Sequence, residues 1–196
     1  MVVLQRYYAL RGIRNPALRV LLISDALVLI SVAMITPIYA VFVARVGGDI
    51  LDAGLTAAGL AFGSAFAALI AGKYADRLRE KKSLLVLSHA VVGLSFLLFI
   101  TVHSVWYLAA IQVVIGLVRA FADPAFDALY SSHLDKHQEA SEWGTWEAMA
   151  YSAGGVGAIL GGVIVHYGSF SALFVVMAVL CFASAAYVLR VPKRVL

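Results

Sequence analysis

The sequence predicts an all-α integral membrane protein with six transmembrane helices, and three observations support this fold class. Of the 196 residues, 63% are apolar and 13% are charged, which is about half the charged fraction of a soluble domain. Six stretches are continuously apolar and long enough to cross about 30 Å of hydrocarbon as helices, which takes about 20 residues each. The basic residues stand at the ends of these stretches. The single cysteine, Cys181, excludes a disulfide scaffold, and the low charge excludes disorder.

Short connections that carry charged residues, glycine or histidine separate the predicted spans. The spans cover, in order, residues 17–45, 52–74, 83–102, 105–131, 144–167 and 170–190. Together they are expected to form one membrane domain over residues 17–190. Residues 1–16 hold several arginines and tyrosines, so we expect a cytoplasmic segment that lies on an anionic membrane surface. Residues 191–196 are expected to form a cytoplasmic tail, and Trp143 and Trp146 to mark the inner membrane interface.

The distribution of Lys and Arg predicts the orientation of the chain. Thirteen of the fifteen lie on the side of the N terminus, Arg45 lies on the opposite side, and Arg119 lies inside a span. Because cytoplasmic loops are rich in Lys and Arg, both termini are expected in the cytoplasm. We therefore expect a multi-pass protein of the inner (plasma) membrane of the cell. Since the basic residues serve orientation, the net charge of +4 does not indicate a nucleic-acid partner.

Ionisable side chains inside the predicted spans mark the candidate functional site. A charged residue at the membrane centre costs about 2.5–3.5 kcal/mol, so it normally faces a cavity or a partner. Arg119, Asp123 and Asp127 follow one another at intervals of four in the fourth span, so they share a helix face. Asp25 lies at a similar depth in the first span. Two interpretations stay open: Asp25 and Arg119 form a structural ion pair, or they line a water-filled cavity and change protonation during transport.

Other polar residues in the spans extend this region. Gln112 in the fourth span, and Glu147 and Tyr151 one turn apart in the fifth, are expected to border a substrate. Asp127 and Glu147 have an alternative role, contact with the basic loops. His89 adds a polar group from the third span, but the histidines lack metal-ligand spacing. We therefore expect no metal, no cofactor and no enzyme activity.

Two of the predicted spans are rich in small residues. The second contains Gly59 and Gly63 and the fifth contains Gly157 and Gly161, both in G-x-x-x-G spacing. In lipid, such faces let helix backbones approach closely. These four glycines are expected either at the seam with a second copy of the chain or in contacts within the six-helix bundle.

The loop after the second span carries a recognisable motif. Residues 72–82 read GKYADRLREKK, which is similar to motif A of the major facilitator superfamily, G-x-x-x-D-R-x-G-R-R/K-R/K. The matching positions are held by Gly72, Asp76, Arg77 and Lys81. Arg79 stands where the motif has its second glycine.

Two further segments resemble motifs of the same family. The run GLVR at residues 116–119 is similar to motif B, whose arginine is associated with proton coupling. The fifth span resembles motif C, the antiporter signature G-x8-G-x3-G-P-x2-G-G. Its matching glycines are Gly144, Gly157, Gly161 and Gly162. Ala153 and Ala158 replace a glycine and the proline of that signature.

The resemblance covers nearly the whole chain and implies the N-terminal six-helix half of such a transporter, built from 3+3 inverted repeats. It implies that the first and fourth spans line a substrate cavity and that the second and fifth lie at the seam between halves. Arg119 would then couple transport to protons together with Asp25, assisted by Asp123. Motif A, around Asp76 and Arg77, would act as a gate latch. The resemblance also implies that Asp127 faces Arg77 or Arg79.

These observations lead to one hypothesis and its rivals. We expect a half-size secondary transporter that moves a small-molecule substrate by alternating access, coupled to protons. One half alone exposes its charged residues to membrane lipid, so we expect a parallel homodimer. The alternatives are a hetero-dimer, a fragment of a longer chain, or a non-transporting scaffold for a larger partner. The substrate's charge stays open, because an aspartate suits a cation and an arginine suits an anion.

Overall fold

Six helices long and apolar enough to cross a membrane make up the structure, a computed structural model that describes residues 15–75, 81–192 and 195–196. The side chains of residues 72–75 are not among those described. No strand occurs within these ranges. The predicted fold class is therefore confirmed. Most of the predicted interfacial segment, together with Asp76, Arg77 and Arg79 of motif A, lies outside the described residues.

The helix bounds are close to the predicted spans. The first span consists of Pro16–Ile35, a 3-10 turn Thr36–Ile38 and Tyr39–Arg45. The second to sixth spans are Ile50–Ala75, Lys81–Phe99, Val105–Ser132, Glu139–Tyr167 and Phe170–Arg190. The 3-10 turn of the first span contains Pro37, which lacks the N–H that an α-helix would use. The fifth span begins five residues earlier than expected, with Glu139 and Glu142 in a first turn that favours negative charge.

Short polar side chains cap the start of four spans. Asn15, Ser104 and Ser169 each accept a hydrogen bond from a backbone N–H two or three residues further along, at 2.9, 3.2 and 3.1 Å. Before the second span, Asp49 accepts a hydrogen bond from the backbone N–H of Asp52 at 2.9 Å, and Asp52 accepts one from the backbone N–H of Asp49 at 3.0 Å. These contacts satisfy donors that a helix start otherwise leaves without partners.

The closest helix packing joins the two halves of the chain. The principal pairs are the second span with the fourth, the third with the sixth, the first with the fifth and sixth, and the third with the fourth. Exchanging spans one to three with spans four to six leaves this set of pairs unchanged. Because successive spans alternate in direction, the fourth runs opposite to the first. The packing is thus that of two inverted repeats of three helices.

Two apolar clusters fill the interior at opposite ends of the bundle. We call the end that holds Asn15 the terminal end, and its cluster is built around Leu18, Leu21, Leu85 and Tyr130. At the opposite end lies an aromatic cluster, Phe42, Phe96, Phe99, Phe170 and Phe174. The Phe42 ring centre is 4.8 Å from that of Phe174 and 5.3 Å from that of Phe170. The opposite end is therefore closed by stacked and edge-on rings.

Polar contacts hold the loops at the terminal end. Asn15 donates a hydrogen bond to the His133 carbonyl at 2.7 Å, and the Tyr130 hydroxyl donates one to the Glu142 carbonyl at 2.7 Å. Lys82 donates to the carbonyls of Leu189 and Val191. A lysine at the end of a helix satisfies free carbonyls and opposes the helix dipole. The start of the third span is thereby tied to the end of the sixth.

Two glycines of the fifth span, Gly157 and Gly161, pack inside the bundle. A Cβ atom at Gly157 would lie 2.5 Å from the Ile30 carbonyl oxygen, and one at Gly161 would overlap the Met34 carbonyl. Both glycines are buried, so the fifth span rests directly on the backbone of the first. Of the two placements expected for Gly157 and Gly161, the structure favours contacts within the bundle over a seam, since the first span of the same chain occupies that face.

The glycines of the second span have a different environment. A Cβ atom at Gly59 would meet no described atom within 4 Å, and one at Gly63 would meet only Val113, at 4.0 Å. This face of the second span is therefore open in the single chain. The placement of Gly59 and Gly63 at a seam stays a prediction.

Candidate functional site

A cavity of about 270 Å³ lies in the terminal half of the bundle. Its apolar lining comes from Val28, Leu29, Val32, Leu85, Val92, Ala122 and Phe126. Its polar lining comes from Asp25, Ser88, His89, Arg119, Asp123, Asp127 and Trp146. The structure thus brings the three predicted coupling residues, from the first and fourth spans, to the wall of one cavity. A concave apolar surface with a few convergent polar groups is typical of a small-molecule site.

Asp25 and Arg119 each have a partner in this cavity. The Trp146 indole Nε1 donates a hydrogen bond to Asp25 Oδ2 at 2.8 Å. Arg119 Nη2 lies 3.6 Å from Asp123 Oδ2, one helical turn further along the fourth span. Among the residues that the structure describes, this is the one salt bridge found. Asp25 and Arg119 therefore line the same cavity without forming an ion pair with each other. Asp25 is held by the fifth span, while Arg119 is neutralised within its own helix.

Much of the charged surface is open to the outside of the chain. The side chain of Asp123 is 59% exposed and that of Arg119 is 34% exposed. Asp127 is exposed as well, and with Asp123 it also lines a second cavity of about 290 Å³ that includes Ser64 and Ala68 of the second span. Charges on a membrane-spanning helix are costly against hydrocarbon. This face therefore requires water or another protein surface.

His89 lines the cavity, and one of its two ring nitrogens has no hydrogen-bond partner among the described residues. Its Nδ1 lies 2.9 Å from Ser184 Oγ, and Ser184 donates its own hydroxyl hydrogen to the Ser24 carbonyl at 2.7 Å. Because a serine hydroxyl has one hydrogen, Nδ1 of His89 must donate to Ser184. In the neutral ring, Nε2 then carries a lone pair. Within the described part of the chain, Nε2 has no hydrogen-bond partner.

From the sequence, Trp146 had no predicted place in the site, and His89 was named only as a polar group of the same region. Trp146 was expected at the membrane interface, but it points inward and holds Asp25. His89 is 7% exposed, and the cost of a polar group inside a predicted span had already placed it in this region. The Trp146 contact depends on how the fifth span is rotated against the first, and residue spacing does not contain that angle.

The three residues expected to border a substrate lie outside the cavity. Gln112 is buried, and its Nε2 donates to the Tyr39 hydroxyl at 3.0 Å, which in turn donates to Thr56 Oγ1 at 2.8 Å. This chain of hydrogen bonds links the fourth, first and second spans. Glu147 is exposed on the fifth span, as is Tyr151 at 78%. A role for these residues toward a substrate stays a prediction.

The remaining predicted elements are described in part. Lys81 is the first residue of the third span, whereas the partners expected for Asp127 lie outside the described ranges. The gate latch is therefore a prediction still. No group of three or more His, Cys, Asp or Glu side chains in residues 15–71, 81–192 and 195–196 is placed to hold a metal ion.

Comparison with known proteins gives one match. A family model described as Major Facilitator Superfamily matches residues 21–195, a range that includes nearly all of the six spans. Searches of curated protein sequences and of solved structures give no match.

Proposed function

Since this chain belongs to the major facilitator superfamily, we propose that it is a secondary transporter that moves a small solute by alternating access. The observation that carries the proposal is the cavity in which Asp25, His89, Arg119 and Trp146 meet. Four different spans supply these side chains, so a change in the packing of the spans alters the site. Secondary transporters place their sites between helices in this way.

A second six-helix unit is part of the proposal. Asp123 and Asp127 are exposed on the fourth span, and Glu147 and Tyr151 are exposed on the fifth. A partner that covers this face would enclose a water-filled vestibule and remove the charges from lipid. A second copy of the chain, inserted in the same direction with both termini in the cytoplasm, is the simplest such unit. The open face at Gly59 and Gly63 is available for this contact.

Proton coupling is assigned to Asp25, with Arg119 and Asp123 nearby. The Asp25 carboxylate is held through Oδ2 by Trp146 of the fifth span. Protonation would remove its charge and weaken this contact, because a hydrogen bond to an ionised acceptor is the stronger one. The packing of the first span on the fifth would then depend on the protonation state of Asp25. Motif A and Asp127 are proposed to latch the resulting states.

The experiment uses purified protein in liposomes with an imposed pH gradient and an internal pH-sensitive dye. Adding each of a panel of cationic, neutral and anionic solutes is expected to accelerate collapse of the gradient for at least one solute. Asp25→Asn is expected to abolish this acceleration. Asp135→Asn, which changes an exposed loop acid outside the cavity, is the matched control and should behave as wild type. A silent wild-type protein, or an active Asp25→Asn variant, contradicts the proposal.

The exposed charged face also fits a different chain as its partner. A hetero-dimeric transporter or a scaffold would then be purified as a complex with another protein. The mass of the complex in native-like bilayers distinguishes these possibilities, because the chain has a mass of 20.9 kDa and a homodimer has twice that. A single chain that keeps this mass in bilayers would contradict the dimer.

A further inference from the structure

We propose that the cavity binds an organic ammonium ion, whose N–H groups donate to Asp25 and His89 and whose apolar part lies against Trp146 and Phe126. This inference rests on the proposed transport function and names the substrate class of the same site. Residue types alone left the charge of the substrate open, since both Asp25 and Arg119 are present. The contacts of these residues now decide between a cation and an anion.

The charge balance of the cavity favours a cation. Three carboxylates, of Asp25, Asp123 and Asp127, line the cavity together with one guanidinium, of Arg119. The guanidinium is already compensated by Asp123, 3.6 Å away. With His89 neutral, the lining then has an excess of two negative charges. An anionic solute would meet this excess, whereas a monocation would reduce it.

Two acceptors of the cavity-lining residues, Oδ1 of Asp25 and Nε2 of His89, have no donor among the described residues. Trp146 donates a hydrogen bond to Oδ2 of Asp25, and no described residue donates one to Oδ1. Ser184 orients His89 so that Nδ1 donates away from the cavity and Nε2 remains an acceptor. His89 is 7% exposed, so an unused lone pair at this position is costly unless water or a ligand donates to it. An ammonium group with several N–H donors satisfies both acceptors.

The rest of the lining suits an apolar group attached to the ammonium. The Trp146 and Phe126 rings lie with their centres 6.4 Å apart, and the first span adds Val28 and Val32. Aromatic faces attract cations. Because Trp146 is fixed by its bond to Asp25, the aromatic wall and the carboxylate are held side by side. A volume of about 270 Å³ accommodates a single small aromatic amine.

The test measures binding of phenethylammonium to the protein in lipid nanodiscs, without any gradient. Calorimetry on the wild-type chain gives the affinity. Trp146 fluorescence, in a variant with Trp106→Phe and Trp143→Phe, reports whether binding occurs in the cavity. Asp25→Asn is expected to weaken binding about tenfold or more, the effect of losing a hydrogen bond to a charged group. Asp135→Asn should leave the affinity unchanged.

Two further ligands sharpen the result. Phenylacetate, a similar ring with a carboxylate, should bind much more weakly than phenethylammonium. The N,N,N-trimethyl derivative has the charge but lacks N–H donors, so His89→Phe should weaken binding of phenethylammonium about tenfold and leave the trimethyl derivative unaffected. A merely structural role for His89 would change both affinities equally, which would overturn its assignment.

The failure of this inference is distinguishable from failure of the transport proposal. Phenylacetate binding as tightly as phenethylammonium, or no binding of phenethylammonium to the wild-type chain at millimolar concentration, would overturn the substrate class. The pH-gradient assay with the full solute panel tests transport independently. If another solute collapses the gradient, transport stands and the ammonium assignment is wrong.

Discussion

The second and fifth spans are both rich in glycine and alanine, yet their small residues have different roles. In the fifth span, Gly157 and Gly161 are buried against the backbone of the first span. In the second span, a Cβ atom at Gly59 or Gly63 would meet almost nothing among the residues that the structure describes. The close approach of the second span to the fourth depends instead on Gly116, where a Cβ atom would lie 2.7 Å from the Leu60 carbonyl.

The pair of first and fifth spans and the pair of fourth and second spans are related by exchange of the two repeats. The glycine that allows close approach does not follow this exchange. In the pair of first and fifth spans, the fifth supplies it. In the pair of second and fourth spans, the fourth supplies it. The small face of the second span is thereby released for contact outside the chain. Substitutions at these glycines test this difference.

The largest effect is expected from Gly161→Val. The new side chain would overlap the Met34 carbonyl, so the fifth span must move away from the first. We expect a loss of about 3 kcal/mol in stability, at the upper end for overpacking. Unfolding of purified protein in bicelles measures it. Gly162→Val is the control, because a Cβ atom there meets nothing within 4 Å. Equal loss in both variants would show that the close contact does not exist.

A smaller loss is expected from Gly116→Ala. The added methyl group would meet the Leu60 carbonyl oxygen at 2.7 Å and Ser64 Oγ at 2.8 Å. The serine side chain is able to rotate, but the carbonyl belongs to the backbone, so we expect a cost of about 2 kcal/mol. Gly59→Ala, on the open face of the second span, should change stability by less than about 0.5 kcal/mol. A reversed order would mean that the second span packs through Gly59 within the chain.

The open face of the second span also predicts a cross-link that leaves stability nearly unchanged. Cysteines at Gly59 and at Ile159, which is exposed on the fifth span at similar depth, should join two copies through a short thiol-reactive linker. The background carries Cys181→Ser, which removes the native thiol. In the control, the second cysteine is placed at Leu94 instead of Ile159. Leu94 is exposed on the third span, away from this seam, so the control should remain uncross-linked. A cross-linked control with an unlinked test pair would refute the proposed seam.

Apart from the controls, the smallest loss of stability is expected at a contact that involves neither the second nor the fifth span. Lys82→Met removes the hydrogen bonds to the carbonyls of Leu189 and Val191. The expected loss is about 1 kcal/mol, typical of a cation at a helix C terminus. Lys136→Met, at an exposed loop position, should have no measurable effect. Unfolding in the same bicelles compares the two, and equal effects would assign the loss to charge alone.

Residue spacing predicts depth in the membrane well and rotation about the helix axis poorly. The six spans, and the presence of Asp25 and Arg119 in the same layer, follow from length and from 1.5 Å of rise per residue. The neighbouring span that each helix face contacts does not follow from length and rise. Trp146 was therefore expected at the interface, whereas it donates to Asp25 of the first span. The contact of Gly157 with the first span and the hydrogen bond from Gln112 to Tyr39 likewise depend on helix rotation. The tautomer of His89 depends on Ser184, 95 residues away, so only tertiary structure reveals it.

The exchange-symmetric packing of the spans has a consequence for biogenesis. The principal partners of each of the first three spans lie among the last three. During synthesis, the first three spans thus enter the bilayer before the last three spans, on which they pack, have left the ribosome. Until the last three spans are inserted, the Asp25 carboxylate and the helix faces that pack on those spans must be shielded by the insertion machinery or by water. We expect a chain truncated after Thr101 to be inserted and then degraded, because nothing within it can close the gaps.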